Sequence, residues 1–240
     1  MSGPRGLRAR VAGQPVPGVP GVVLVPGLGL PGYLRRLVPL LAAWTRVTVL
    51  DVPGFGRPGP LVCAPTVPAM AATVAEWLRS RPGPVLLAGH STGAQAALRA
   101  AVEVPAPLAG LVLVGPTFAP GCRTVPGLLR AVPGSYARDA PSQVPYALPD
   151  LARARARLVP MVLSAMADRP EELVPRVGVP LVAAAGAGDR FCPRPWLEQL
   201  AALAPRGRAA TLPGSHNVPY THAGSVAALL REVTAPSAPR

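Results

Sequence analysis

The chain has 240 residues, 50% of them hydrophobic, and 24 basic against 11 acidic side chains give it a formal net charge of +13. That length supports one full-sized domain around a large core, and no uninterrupted apolar run approaches the roughly 18 residues a bilayer span needs. Every basic residue is arginine, lysine and isoleucine are absent and prolines number 34, so the charge reads as a GC-rich coding bias rather than a phosphate-binding stripe, and neither nucleic acid nor a membrane is an expected partner.

The first residues carry Arg5, Arg8 and Arg10 without the long clean apolar region of a secretory leader, and the expected location is cytoplasmic. Gly21–Val25 reads as a buried strand, β-branched and without alternation. Tyr33 to Trp44 has apolar residues at helical spacing, Val47–Leu50 reads as a second strand, and Thr66 to Ser80 as a helix capped by Thr66. A strand from Val85 runs through Gly89-His90-Ser91-Thr92-Gly93 into an Ala-rich helix that Pro105 ends. Leu111–Val114 is the next strand.

From Thr117 to Val177 the pattern changes. Turns are expected at Pro120-Gly121, Pro126-Gly127 and Pro133-Gly134, then a regular helix over Leu151–Ala167. The segment reads as a mostly helical insertion, roughly 117–177, over the sheet edge of a single domain spanning 1–240. Arg153, Arg155 and Arg157 within it read as a solvated helix face. Strands at Pro180–Ala185 and Arg208–Leu212, helices at Pro193–Ala204 and Ala223–Val233, and a frayed Ala-Pro-Ser tail complete the chain. Crossovers of this length pair strands in parallel, so the expectation is an α/β fold, with a mostly parallel central sheet flanked by helices and ligands beyond the carboxyl ends of the strands. Cys63, Cys122 and Cys192 are odd in number and widely spaced; reduced thiols are expected, with neither a disulfide framework nor a zinc site.

The stretch Val85–Leu98 gathers the chemistry. Strand, tight turn and helix lift the Ser91 hydroxyl above the sheet edge, and glycines at 89 and 93 let strand and helix pass closely. The helix N-terminus behind it favours a developing negative charge. A serine hydroxyl needs a base, and the base needs an orienting group. Only three histidines are available. His90 is expected to point away from the serine and pack or bond to a nearby turn, and His222 to cap the last helix. His216 lies in the Pro213-Gly214-Ser215-His216 loop after the last strand.

This set of motifs resembles the α/β-hydrolase family. The elbow matches its nucleophile turn. Gly186-Ala187-Gly188-Asp189, followed by Pro193, resembles its acid-bearing turn, and the His216 loop resembles its base-bearing loop. Ser91, Asp189 and His216 also stand in the family's chain order. The resemblance implies Ser91 as nucleophile, His216 as base and Asp189 as acid; Asp139, Asp150 and Asp168 are less well placed. Pro26-Gly27-Leu28-Gly29 is similar to the family's oxyanion loop, except that Pro26 stands where histidine is common. The implied oxyanion donors are the Leu28 and Thr92 N–H groups. Asp51-Val52-Pro53-Gly54-Phe55-Gly56 is similar to a family turn of architectural role.

A serine nucleophile argues against the dehalogenases and epoxide hydrolases of this fold, which attack with a carboxylate. The implied activity is hydrolysis of an ester or related acyl bond of a small to medium apolar substrate through an acyl-serine, needing no metal or organic cofactor. Carbon–carbon bond hydrolysis, acyl transfer and non-catalytic small-molecule binding are alternatives on the same residues, and the sequence sets neither substrate nor oligomeric state.

Overall fold

A computed structural model describes residues 7–136 and 141–234. Seven strands form one sheet in the order β1-β3-β2-β4-β5-β6-β7. They are β1 Arg8–Ala12, β2 Gly21–Val25, β3 Val47–Asp51, β4 Val85–His90, β5 Leu108–Val114, β6 Leu181–Gly186 and β7 Gly207–Leu212. Neighbours from β3 to β7 pair in parallel; β1 alone runs antiparallel, against β3. The strand that ends in the elbow, β4, is therefore the middle one, with three strands on either side.

The inner strands β3, β4 and β6 are buried along their whole length, which explains their unbroken apolar runs. One face packs on α2 (Val67–Arg79), α3 (Thr92–Glu103) and α8 (Arg194–Leu203) through Met70, Val74, Leu98 and Trp196. The other packs on α1 (Leu37–Ala42) and α10 (Ala223–Thr234) through Leu37, Leu41, Val226 and Leu230. Thr66 caps α2, its hydroxyl accepting from Ala69 N at 3.4 Å. Among the described residues, no helix is long and apolar enough to cross a membrane.

The structure adds one strand and corrects four local expectations. The arginine-bearing start of the chain holds a strand: β1 alternates, and its Arg8 and Arg10 side chains reach across to the loop after β3. Arg8 bonds Gly54 O at 2.5 Å and pairs with Asp51 at 3.4 Å, and Arg10 bonds Gly56 O at 3.1 Å. The stretch read as one helix from Tyr33 begins as a 3₁₀ helix, Pro31–Arg36, before α1.

The turns expected at Pro126-Gly127 and Pro133-Gly134 lie inside a helix, α4 (Val125–Tyr136). Pro126 falls in its first turn, where no N–H is missed. Gly134 lets α4 lie against Arg190, whose Cγ would stand 2.7 Å from an added Cβ. Pro120-Gly121 does turn, in the 3₁₀ helix Pro120–Cys122.

The helix expected over Leu151–Ala167 is two helices, α5 (Val144–Ala154) and α6 (Leu158–Ala167), broken at Arg155 with φ 47° and ψ −132°. Arg155 and Arg157 are exposed, but Arg153 is half-buried: it pairs with Asp150 at 2.5 Å and donates to Phe55 O at 2.5 Å. It clamps α5 onto the loop after β3. The short α7 (Pro170–Leu173) then leads back to the sheet, and α9 (Val218–Thr221) follows β7. Asp139, Arg5 and the tail after Thr234 lie outside the described residues.

Candidate active site

Ser91 stands between β4 and α3 at φ 56° and ψ −126°, a backbone region that L side chains rarely adopt. The flanking glycines make that turn feasible. A Cβ on Gly89 would come 2.3 Å from Gly93 O, and one on Gly93 would come 2.3 Å from Val25 O. Both obstacles are backbone, so no side-chain adjustment relieves them. Ser91 N–H is tied to Val114 O at 2.9 Å, which fixes the turn to β5.

The loops after β6 and β7 bring a carboxyl and an imidazole to this serine. His216 Nε2 lies 3.0 Å from Ser91 Oγ, and His216 Nδ1 lies 2.7 Å from Asp189 Oδ2. The carboxylate accepts from Nδ1–H, which leaves Nε2 to accept from the serine hydroxyl. All three are nearly inaccessible: Ser91 is 7% exposed, His216 3% and Asp189 2%. Burial on its own raises the Asp189 carboxyl, but the adjoining His216 ring and the Phe191 and Cys192 N–H groups hold it below its ordinary value. Those two N–H groups reach Asp189 Oδ1 at 2.9 and 3.3 Å.

The other histidines and carboxylates lie apart from this line. His222 bonds Thr221 Oγ1 at 3.0 Å. Asp150 accepts from Gly32 N at 2.8 Å and pairs with Arg153, and Asp168 pairs with Arg99. Asp51 accepts from Gly56 N at 2.7 Å, an architectural contact.

His90 turns from the serine to link two loops. Gly27 N–H donates to Tyr33 Oη at 2.7 Å, Tyr33 Oη meets His90 Nδ1 at 2.7 Å, and His90 Nε2 meets His216 O at 3.0 Å. An amide can only donate and a carbonyl only accept, so with the ring neutral every proton in the chain is assigned. Tyr33 donates to Nδ1, and His90 is neutral with its hydrogen on Nε2. Burial, reinforced by the His216 ring, pushes the His90 pKa down to about 3. Burial likewise raises the Tyr33 phenol, so it keeps its proton.

Sequence reasoning missed Tyr33, because its partner lies 57 residues away and no local pattern marks the contact. It also missed Ser135. The Ser135 carbonyl accepts from His216 N at 3.0 Å and its hydroxyl from Arg190 N at 3.1 Å, so α4 holds both the base and acid loops. Gly115, at φ 54°, was missed too; a Cβ there would meet Asp189 and His216 at 3.1–3.2 Å.

The oxyanion loop departs from the expectation. Leu28, at φ 50°, lines the cavity and donates its N–H to Thr92 Oγ1 at 2.7 Å. The helix-opening Thr92 side chain leans toward the helix N-terminus and intercepts it. The N–H of Thr92 itself, first in α3, has no intrahelical partner. Beside Ser91 and His216 opens a cavity of about 280 Å³ walled by Leu28, Leu30, Tyr136, Val144, Ala147 and Leu151. Among the described residues, no group of three His, Cys, Asp or Glu side chains could hold a metal ion.

Comparison with known proteins agrees with this architecture. Residues 22–229 match the model of the Alpha/beta hydrolase family. A 2-hydroxy-6-oxononadienedioate/2-hydroxy-6-oxononatrienedioate hydrolase of Pseudomonas putida is 36% identical over 106 residues, 41% of this chain, and the match spans only 37% of that relative's length. A pimeloyl-[acyl-carrier protein] methyl ester esterase of Edwardsiella ictaluri is 28% identical over 229 residues, covering 83% of this chain and 86% of that one. A thermophilic esterase from Thermogutta terrifontis superposes with a TM-score of 0.73 at 23% identity, covering 95% of this chain and 94% of that one. With the family model spanning the sheet from β2 to α10, the chain belongs to the alpha/beta hydrolase family.

Proposed function

We propose that this protein is a serine hydrolase that cleaves an ester or related acyl bond of a small to medium apolar substrate. One observation carries the reading: the unbroken line from Ser91 Oγ through His216 to Asp189, at 3.0 and 2.7 Å. Ser91 attacks the acyl carbon while His216 Nε2 takes its proton. Asp189 holds the imidazole tautomer and stabilises the imidazolium. The tetrahedral oxyanion meets the Thr92 N–H and the positive end of α3. His216 then protonates the leaving group, the acyl-serine forms, and water repeats the sequence. None of these steps asks for a metal or organic cofactor.

The apolar cavity of about 280 Å³ supports an aliphatic or small aromatic acyl group rather than a charged one. In this reading, the segment between β5 and β6 is the cap of a single-domain enzyme, since Val144, Ala147 and Leu151 come from it. The related esterase from Edwardsiella ictaluri supports ester hydrolysis, and the Pseudomonas putida relative is a hydrolase as well.

The test is covalent labelling with a fluorophosphonate, run alongside hydrolysis of esters, thioesters and β-diketones. The wild type should take up one probe per chain and hydrolyse esters of short acids. Ser91→Ala should take up none, and His216→Ala should lose at least about 10³-fold in turnover. A folded wild type that takes no probe and hydrolyses nothing in the panel overturns the reading.

A further inference from the structure

In the loop after β2, three backbone donors already have partners. Gly27 N–H is on Tyr33 Oη, Leu30 N–H on Gly27 O, and Leu28 N–H on Thr92 Oγ1 at 2.7 Å. The last is the donor that the oxyanion would ordinarily meet from this loop, and it is already engaged by the Thr92 hydroxyl. Thr92 is 1% exposed, so the position of its oxygen is set by packing. A threonine hydroxyl accepts through two lone pairs and donates one hydrogen. Its oxygen accepts from Leu28; its own hydrogen makes no hydrogen bond among the described residues.

We propose that the Thr92 hydroxyl is itself a donor of the oxyanion hole, so that one residue supplies both a backbone N–H and a side-chain O–H to the tetrahedral intermediate. The proposal rests on the acyl-serine reading above. In the ground state the Leu28 N–H draws electron density from Oγ1, which makes its hydrogen a better donor. As the carbonyl oxygen gains charge it accepts from that hydrogen; no proton is transferred, and the bond lapses when the carbonyl re-forms. Leu28 thus acts through Thr92, and Thr92 is the catalytic residue.

The experiment measures turnover of a short-chain p-nitrophenyl ester, and inhibition by an alkyl boronic acid that forms a tetrahedral adduct, in Thr92→Ser, Thr92→Ala and Thr92→Val. Thr92→Ser keeps the hydroxyl and should recover most of the turnover that Thr92→Ala loses. Thr92→Ala should lose about 10²-fold in kcat with KM little changed, and boronate inhibition should weaken in parallel.

Thr92→Ala also uncovers the Leu28 N–H. If it is as fast as the wild type, or faster, the hydroxyl only obstructs that donor and the proposal is overturned. If Thr92→Ala is not recovered folded, the Thr92→Ser and Thr92→Val pair decides by the same criterion. Failure of the underlying reading looks different, because the wild type itself then takes up no fluorophosphonate.

Discussion

The strand-end frame around Ser91 and the helical segment between β5 and β6 solve opposite problems. In the frame, backbone meets backbone with no slack: Gly89 and Gly93 each lie where a methyl group would strike a carbonyl at 2.3 Å. The segment carries Val125, Leu129, Val132, Val144, Leu148, Val159 and Leu163 in exposed positions. It is fastened from its outside edges, through Ser135 to the loops after β6 and β7, through Arg153 to the loop after β3, and through Ala165 and Asp168 to α3. The frame fixes where Ser91, His216 and Asp189 stand, and the segment walls the cavity beside them. A single fold can therefore keep its chemistry while its wall residues vary.

The sharpest way to break this contrast is to put a methyl group into the frame. Gly93→Ala should destabilise the fold by about 3 kcal/mol or more, because the obstacle is the Val25 carbonyl and the strand must move. Urea titration measures it; a loss under about 1 kcal/mol would mean the elbow has play that its contacts do not suggest.

Next in size is the histidine of the frame. A group held neutral by burial, with a folded pKa of about 3 against 6.5 when unfolded, lets the unfolded state bind the extra proton between those values. Stability should therefore fall as pH drops below 6.5, by about 1.4 kcal/mol per pH unit from His90. Denaturation curves of wild type and His90→Asn at pH 7, 6 and 5 check this. The variant should lose that part of the slope, and equal slopes would contradict the neutral, buried assignment.

The smallest effect belongs to the segment. Ala147→Phe fills part of the acyl cavity and should lower kcat/KM for longer acyl esters about tenfold relative to acetyl esters. Its melting temperature should scarcely move. An unchanged chain-length profile would show that the wall does not select substrate.

The same contrast explains what could be read from the chain. The elbow was legible because sterics dictate glycine two residues on either side of Ser91. The buried parallel strands were legible because both faces are apolar. His216 and Asp189 were singled out because the loops that carry them resemble those of the family, and the structure brings both beside Ser91. What stayed hidden was decided in three dimensions. β1 alternates arginine with small residues, and only its partner β3 and the carbonyls after it show why a strand forms there. α4 runs through Pro133 against local propensity, held by Ser135 and by packing on Arg190. The hydrogen bond from Leu28 N to the Thr92 hydroxyl joins positions 64 residues apart, so no spacing rule could have found it.

The Tyr33 hydroxyl has a consequence for how such proteins can be recombined. One phenol oxygen joins Gly27 to the ring of His90, and that ring grips residue 216 only by its carbonyl, a group every amino acid carries. A chimera that replaces the final loop therefore keeps the linkage whatever side chains it imports. A crossover point between positions 33 and 90 separates tyrosine from histidine, and the hybrid inherits an amide or an imidazole without its counterpart. The stretch from Gly27 to His90 is heritable as a block, whereas at position 216 this linkage asks only for a backbone carbonyl.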